Sequence, residues 1–408
     1  MRSNCILVLV LVFILFITGC ANIIVDSSKA AEKNIQESTE NVKSNSNSDS
    51  EKYIGVKNTQ LIDANQKFSW EIFNKINEED SDKEIFISPL SVSSMLMMAY
   101  NGAEGTTMEA MAKAMYYEGI TIDDLNKGYK HLISRLNNID KKVNVEIANS
   151  IWSRQGFEIR QHFTDVNRNY LLADVSSLDF AKADAANEIN NWVAKKTNNL
   201  IPSIINPPIA DDVMLYLINA IYFKGEWTNA FKSKDTFEAD FYSYDGLTDK
   251  VQMMHRKGCI DLAQTEGYMA VSLPYGDERV SMMVILPKGD INEFIYSFDH
   301  DKWNEMLSNL RQTSDLHLQL PKFKMEYGTK NLTKSLTSLG MGELFTGQAN
   351  FSGISEGLFI SKVLHKAVID VNEKGTEAAA VTVGEFTTSY TKPVEFIANR
   401  PFIFVIYD

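Results

Sequence analysis

Cysteine is scarce in this chain. Its 408 residues hold three, and two of these, Cys5 and Cys20, fall within the first 20 positions. Only Cys259 lies in the body, so no internal disulfide framework can form and no thiolate cluster can hold a metal. A lone cysteine of this kind reads as a small buried or half-buried hydrophobe. Basic residues are outnumbered as well: 40 Lys and Arg against 53 Asp and Glu give a formal net charge of −13. Such a surface repels phosphate backbones and sets nucleic acid aside as a partner. The six histidines are scattered. H-E-x-x-H, C-x-x-C, Walker and dinucleotide fingerprints are all missing, which leaves neither a metal nor a cofactor to expect. One hydrolase-like pattern exists, Gly353-Ile354-Ser355-Glu356-Gly357. It has meaning only between a strand and a helix, where a sharp turn exposes the serine. A strand-like segment, LFISKVLHKAVIDV, follows it instead, so the chain does not read as an enzyme.

No apolar run is long enough for an ordinary membrane span. Residues 6–17, ILVLVLVFILFI, fit the core of a leader peptide. The run ends at Ile17-Thr18-Gly19-Cys20, which resembles a lipobox: small residues precede a cysteine that accepts lipid and becomes the new N-terminus. The expectation is a leader over 1–19 and lipid on Cys20. Two or three acyl chains would hold the protein firmly to a membrane on the outer side of the cytoplasm, at the cell envelope. Residues 21–52, with ENVKSNSNSDSEK as their plainest part, have too few apolar side chains to offset ordering entropy and read as a disordered tether. The folded domain is then 53–408, with no second linker and no internal repeat.

Within that domain, helical spacing runs from Asn58 to Ile76, where Leu61, Ala64, Phe68, Ile72 and Ile76 share a side. Residues 84–89 read as a short strand stopped by Pro89, and a helix from Ser91 to Tyr100 closes at Asn101-Gly102. Val145–Arg154 alternates in part like a strand, and 187–198 is helical. Val213–Phe223 reads as a strand buried on both faces. Residues 271–275 and 282–287 read as paired strands, 316–323 alternates, and 332–339 is a helix ended by Gly340. Mixed helices and long strands without regular βαβ order imply an α+β fold.

The informative segment begins at Asp370. Thr376, Ala378, Ala380, Thr382 and Gly384 fall on one face of an extended chain, and all are small. Glu377, Ala379, Val381, Val383 and Glu385 fall on the other. No proline occurs between Val371 and Lys392, so this stretch can join a sheet without losing a ladder hydrogen bond. Gly375 supplies a pivot. An Ala-rich helix over EKGTEAAAV is the alternative on propensity alone.

Glu373-Lys374-Gly375-Thr376-Glu377-Ala378-Ala379-Ala380 resembles the proximal hinge of an inhibitory serpin's reactive-centre loop. Further motifs stand in the family's order: IFISPLSVSSMLMMAYNGAEGTTMEAM from Ile85, NAIYFKGEW from Asn219, VSLPYGDERVSMMVILP from Val271, LPKF from Leu320 and NRPFIFVI from Asn399. The resemblance covers 58–408. It implies three β-sheets, eight or nine helices and an exposed loop. It implies a monomer that inhibits serine, and by extension cysteine, endopeptidases once only. The cut loop would enter the main sheet as a new strand. A non-inhibitory serpin, acting as a binding or chaperone module, is the second reading.

The resemblance also implies roles. Ser88, Ser91, Asn219 and His365 would form a polar cluster beneath the opening of the main sheet, with Trp227 near its top. Glu373 would pair with Lys322 of the L-P-K motif. Counting forward from the hinge places the cut after Ser389; counting back from Asn399-Arg400-Pro401-Phe402 places it after Tyr390. The reactive bond is therefore Ser389-Tyr390 or Tyr390-Thr391. Both suit a chymotrypsin-, elastase- or subtilisin-like protease rather than a trypsin-like one. Two departures from the family stand out. The chain stops at Asp408, where the family continues with a last strand and a proline-ended tail, and the loop between Gly375 and Pro401 is slightly long.

Overall fold

The structure, a computed structural model, describes residues 10–13, 45–376 and 393–408, and only the backbone of 10–13 and 45–58. Nine α-helices occur among the described residues. They are α1 (Asn45–Glu79), α2 (Pro89–Tyr100), α3 (Gly105–Ala114), α4 (Ile122–Leu136), α5 (Gln161–Tyr170), α6 (Ala185–Lys196), α7 (Ile291–Ser297), α8 (His300–Ser308) and α9 (Thr333–Leu336). Strands form three sheets. The largest runs β14 (Val394–Ile397), β10 (Arg311–Pro321), β7 (Thr248–Gln264), β8 (Tyr268–Tyr275), β9 (Val280–Pro287), β15 (Ile403–Tyr407), β1 (Val10–Phe13) and β2 (Ile85–Ile87), with β6 (Phe237–Tyr242) also on β7. The second runs β13 (Gly375–Thr376), β5 (Leu215–Glu226), β3 (Val143–Arg154) and β4 (Asp174–Leu178). The third pairs β11 (Phe323–Asn331) with β12 (Leu364–Val371). This is the α+β architecture expected.

Local chemistry explains the elements that frame the site. Pro89 does not merely stop β2; it is the first residue of α2, where its missing N–H costs nothing. Ser88 caps that helix, its Oγ accepting from Ser91 N at 3.2 Å. Every residue of α2 is buried, which makes it the central helix of the core. The strands read from 271–275 and 282–287 do pair, antiparallel, with Val271 opposite Val284.

Four expectations need correction. The helix read from Asn58 starts at Asn45, inside the expected tether, because a helix nucleated by its packed portion extends upstream at little further cost. Separately, Val10–Phe13 forms β1 between β15 and β2, parallel to both, a place that β-branched and aromatic residues favour; this pairing does not test whether 1–19 is removed as a leader. Cys259 is exposed, not buried: β7 alternates, and the inward position there is taken by Ile260. β5 is not buried on both faces: Ile218 and Ala220 are buried in the cluster with α6, but Leu215, Leu217, Ile221 and Phe223 on the other face are only partly covered. The helix read over 332–339 keeps regular α geometry only to Leu336, and the chain leaves it at Gly340 with φ +96°.

β5 and β12 border one slot. Among the described residues no backbone hydrogen bond joins them. Val368 of β12 nevertheless packs against the cluster holding Ile218 and Ala220 of β5. Among the described residues the two smaller sheets are thus halves of one layer, parted along its length and bridged at one end.

Candidate functional site

At that bridged end lies the segment expected as the hinge. After β12 the chain turns back tightly: Asn372 N donates to Gly375 O at 2.9 Å and Gly375 N to Asn372 O at 3.1 Å. Asn372 Oδ1 also accepts from Lys374 N at 3.1 Å, a local side-chain turn of the kind asparagine favours. β13 then runs down β5, with Gly375 opposite Glu226 and Thr376 opposite Gly225. Gly375 is obligatory. Its φ is +139°, and a Cβ there would collide with Gly225 O and the Glu226 backbone.

Thr376 is 3% exposed. Its Oγ1 lies 3.1 Å from the Tyr275 hydroxyl. Burial pushes that phenol far above its ordinary range, and the Thr376 bond only partly opposes the effect. Tyr275 in turn stacks on Trp227, with ring centroids 4.2 Å apart and 12° between planes. Trp227 Nε1 donates to Asn372 O at 3.0 Å, and Trp227 N donates to Lys374 O at 3.0 Å. Trp227 therefore holds both sides of the turn, one through its indole and the other through its backbone N–H.

Glu373 anchors the base. Lys322 Nζ lies 3.1 Å from its Oε2, and Thr236 Oγ1 donates to its Oε1 at 3.0 Å. Burial alone would raise this carboxyl. Its own backbone N–H, Lys322 and Thr236 outweigh burial and hold it below the usual value. The Glu373 carbonyl also accepts from Phe231 N at 2.8 Å.

Lower in the slot, Ser88 N donates to His365 Nε2 at 3.0 Å. Nε2 is thus the acceptor and the ring is neutral; burial pulls its pKa down to about 4. Ser88, Ser91 and His365 form one connected group. Asn219 does not bond to them: its Nδ2 donates to Asn149 Oδ1 at 2.8 Å, across to β3. Asn149 passes the connection to Leu171 O at 2.7 Å. Among the described residues, Ser91 Oγ and Asn219 Oδ1 find no hydrogen-bond partner.

The structure thus gathers Glu373, Lys374, Gly375, Thr376, Trp227 and Lys322 at the slot's head. Cys20, Glu377, Ala378, Ala379, Ala380, Ser389, Tyr390 and Thr391 lie outside the described residues. Ser355 sits in a turn after Phe351, with Gly353 packed on the Gly102 backbone, and not between a strand and a helix. Sequence reasoning missed Asn149, Thr236 and Tyr275. Tyr275 stands in the quoted VSLPYGDERV motif, but nothing local reveals that its hydroxyl meets Thr376, 101 positions away.

A family model described as serpin (serine protease inhibitor) matches residues 63–408. The chain is 34% identical over 364 residues to the leukocyte elastase inhibitor of Bos taurus, covering 85% of this chain and 95% of that protein. It is 33% identical to an uncharacterized serpin-like protein of Methanosarcina acetivorans, with 98% and 94% covered. The native-state crystal structure of a thermophilic serpin, tengpin, matches with a TM-score of 0.75 at 32% identity, covering 94% of this chain and 93% of that one.

Proposed function

The chain belongs to the serpin family of serine protease inhibitors, which are not enzymes and whose matched relatives include a leukocyte elastase inhibitor; from that premise we propose that it inactivates serine endopeptidases irreversibly as a suicide substrate. The observation that carries this is the hinge. Gly375 and Thr376 already occupy the mouth of a slot whose two borders, β5 and β12, are not hydrogen-bonded to each other. A protease serine attacks a loop carbonyl, the amide bond breaks, and the amine leaves with a proton, giving an acyl-enzyme. The freed hinge side of the loop then pairs down the slot. About 15 newly paired residues, at roughly 1 kcal/mol net per hydrogen bond, supply on the order of 10–15 kcal/mol. That is enough to drag and distort the attached protease before water releases it. Mixing with chymotrypsin-, elastase- and subtilisin-type proteases should give detergent-stable covalent complexes on a gel. Turnover of the inhibitor without any complex would overturn the reading.

The bovine relative's name supports an elastase-like target. For an apolar specificity pocket Tyr390 is the better residue before the cut, since its ring buries far more area than the Ser389 side chain. Tyr390→Arg should redirect inhibition toward trypsin and weaken it toward chymotrypsin. If the wild type instead traps trypsin fastest and releases a fragment beginning at Pro393, the assignment of the bond is wrong.

The ITGC sequence supports lipidation at Cys20 and a place at the outer face of a membrane. Cleavage before Cys20 would remove the residues of β1 from the nine-stranded sheet. Cys20→Ala should release the protein from membranes or block its maturation. Unchanged membrane fractionation of that variant, with residues 10–13 still present by mass spectrometry, would refute the anchor.

A further inference from the structure

The outer face of the largest sheet carries a pair of histidines. Leu316, Leu318 and Leu320 of β10 are fully buried, as are Met254 of β7 and Phe396 of β14, so these positions face the core. By alternation His317 and Gln319 of β10, with His255 and Lys257 of β7, point the other way. The register agrees: His317 lies opposite Lys257, and Gln319 opposite His255. His255 and His317 are thus diagonal neighbours across one antiparallel ladder, a relation within reach of long side chains. Their ring centroids are 6.1 Å apart, with 71° between planes. Both residues are half-buried. No sequence motif announces the pair, because its members come from different strands.

Neither ring spends its nitrogens on the fold. Among the described residues neither has a hydrogen bond; Asp315 Oδ1 stands 3.7 Å from His317 Nε2, too long for one. A neutral imidazole nitrogen is the commonest metal ligand among side chains. Two imidazoles on one zinc ion, each bound through nitrogen at about 2.0–2.1 Å, place their ring centres roughly 5–6 Å apart. The pair is therefore a small side-chain rotation away from chelating geometry. The surrounding charge suits a cation. Glu395 of β14 lies opposite His317 on the side away from Lys257, Asp315 adjoins the ring, and Asp235 acts electrostatically on His255. Lys257 opposes these carboxylates.

We infer that His255 and His317 form a two-imidazole site for a divalent transition ion of the zinc class, with water completing its shell. Imidazole suits zinc, nickel and copper, whereas calcium and magnesium take oxygen ligands. Among the described residues no group of three or more His, Cys, Asp or Glu forms a closed cage, so the ion here is exchangeable. Asp315 orients His317 from behind, as carboxylates do for ligating histidines. The place has a consequence for the fold. β10 runs at Pro321 into Lys322, which holds Glu373, and Lys322 N donates to Gln252 O of β7 at 2.8 Å. An ion across β7 and β10 braces the two strands that carry this anchor. The inference stands apart from loop insertion and does not depend on it.

The test is calorimetric titration of the full chain with zinc chloride, with calcium and magnesium chloride as controls. Zinc should bind and the controls should not. His255→Gln and His317→Gln should each weaken zinc binding at least about tenfold, since even the partners behind a ligand are worth that much. Cys259→Ser, which removes the exposed thiol of β7, should leave the affinity unchanged. At a hundredfold excess over its dissociation constant, zinc should raise the melting temperature of the wild type by about 3–5 °C and leave both histidine variants unmoved. A reading on the wild type alone covers the case of a poorly folded variant: zinc should shield His255 and His317 from diethyl pyrocarbonate, as located by mass spectrometry. Zinc binding that survives both histidine variants, or that vanishes with Cys259→Ser, would overturn the assignment. So would unshielded histidines at saturating zinc, or no zinc binding at all.

Discussion

Thr376→Arg is expected to turn the inhibitor into a substrate: the loop is cut, the protease leaves active, and no detergent-stable complex accumulates. Thr376 is the first loop side chain inside the sheet, 3% exposed and bonded to the Tyr275 hydroxyl. Around it stand Tyr275, Phe223 and the indole of Trp227, stacked or edge-on to one another. A guanidinium there has no carboxylate to meet, and an unpaired buried charge costs several kcal/mol. If about 3 kcal/mol of that falls on the insertion barrier, insertion slows roughly 100-fold. Deacylation then overtakes it. Thr376→Ser, which keeps the hydroxyl and the size, should inhibit like wild type. The readings are the complex band on a gel and the moles of inhibitor consumed per mole of protease. Wild-type stoichiometry from the arginine variant would show that this position does not gate insertion.

Glu373→Lys is expected to produce polymers. Glu373 is 9% exposed and meets Lys322 and Thr236, while its carbonyl takes the N–H of Phe231. Lys322 is the more open partner, with 45% of its side chain exposed. The charge pair is therefore partly screened, and its loss costs about 1.5–3 kcal/mol, as for a hydrogen bond to a charged group. The reversed charge adds repulsion from Lys322. The Asn372–Gly375 turn then loosens and β13 leaves the slot mouth. Two unpaired strand edges remain, and such edges recruit a strand from another molecule. A ladder on native gels after mild heating is the expected result, with Glu373→Gln intermediate. A lysine variant that stays monomeric and fully inhibitory would show that the pair is dispensable.

Acid should loosen the same region in two steps of the same sign. The His365 pKa, about 4 in the fold against an ordinary 6.5, means the unfolded state takes the proton first. Stability from this group therefore falls as pH drops from 6.5 toward 4. The Glu373 carboxyl is held below its ordinary 4.5, so its contribution is complete above that pH and is lost only as pH falls further. Polymers that appear near pH 5 would belong to His365 and not to Glu373.

The sequence by itself determined the class of fold and marked the segment proposed as the hinge. Buried helices and strands write their periods into local runs, and Ser88-Pro89 writes a helix start. A segment able to enter a sheet is legible too, because such entry demands small, proline-free, alternating residues from Thr376 onward and a glycine before them. Only the tertiary structure decided what that loop meets. Tyr275, Thr236 and Asn149 reach the site through contacts between distant strands, 137 positions apart for Thr236 and Glu373. Cys259 faces outward because of the phase of β7, which a single polar or apolar letter does not fix. β1 and the early start of α1 depend on neighbours that fill or prolong them. The parted edges of β5 and β12 exist only where two segments far apart in the chain lie side by side without bonding. Local propensity carries no record of a gap.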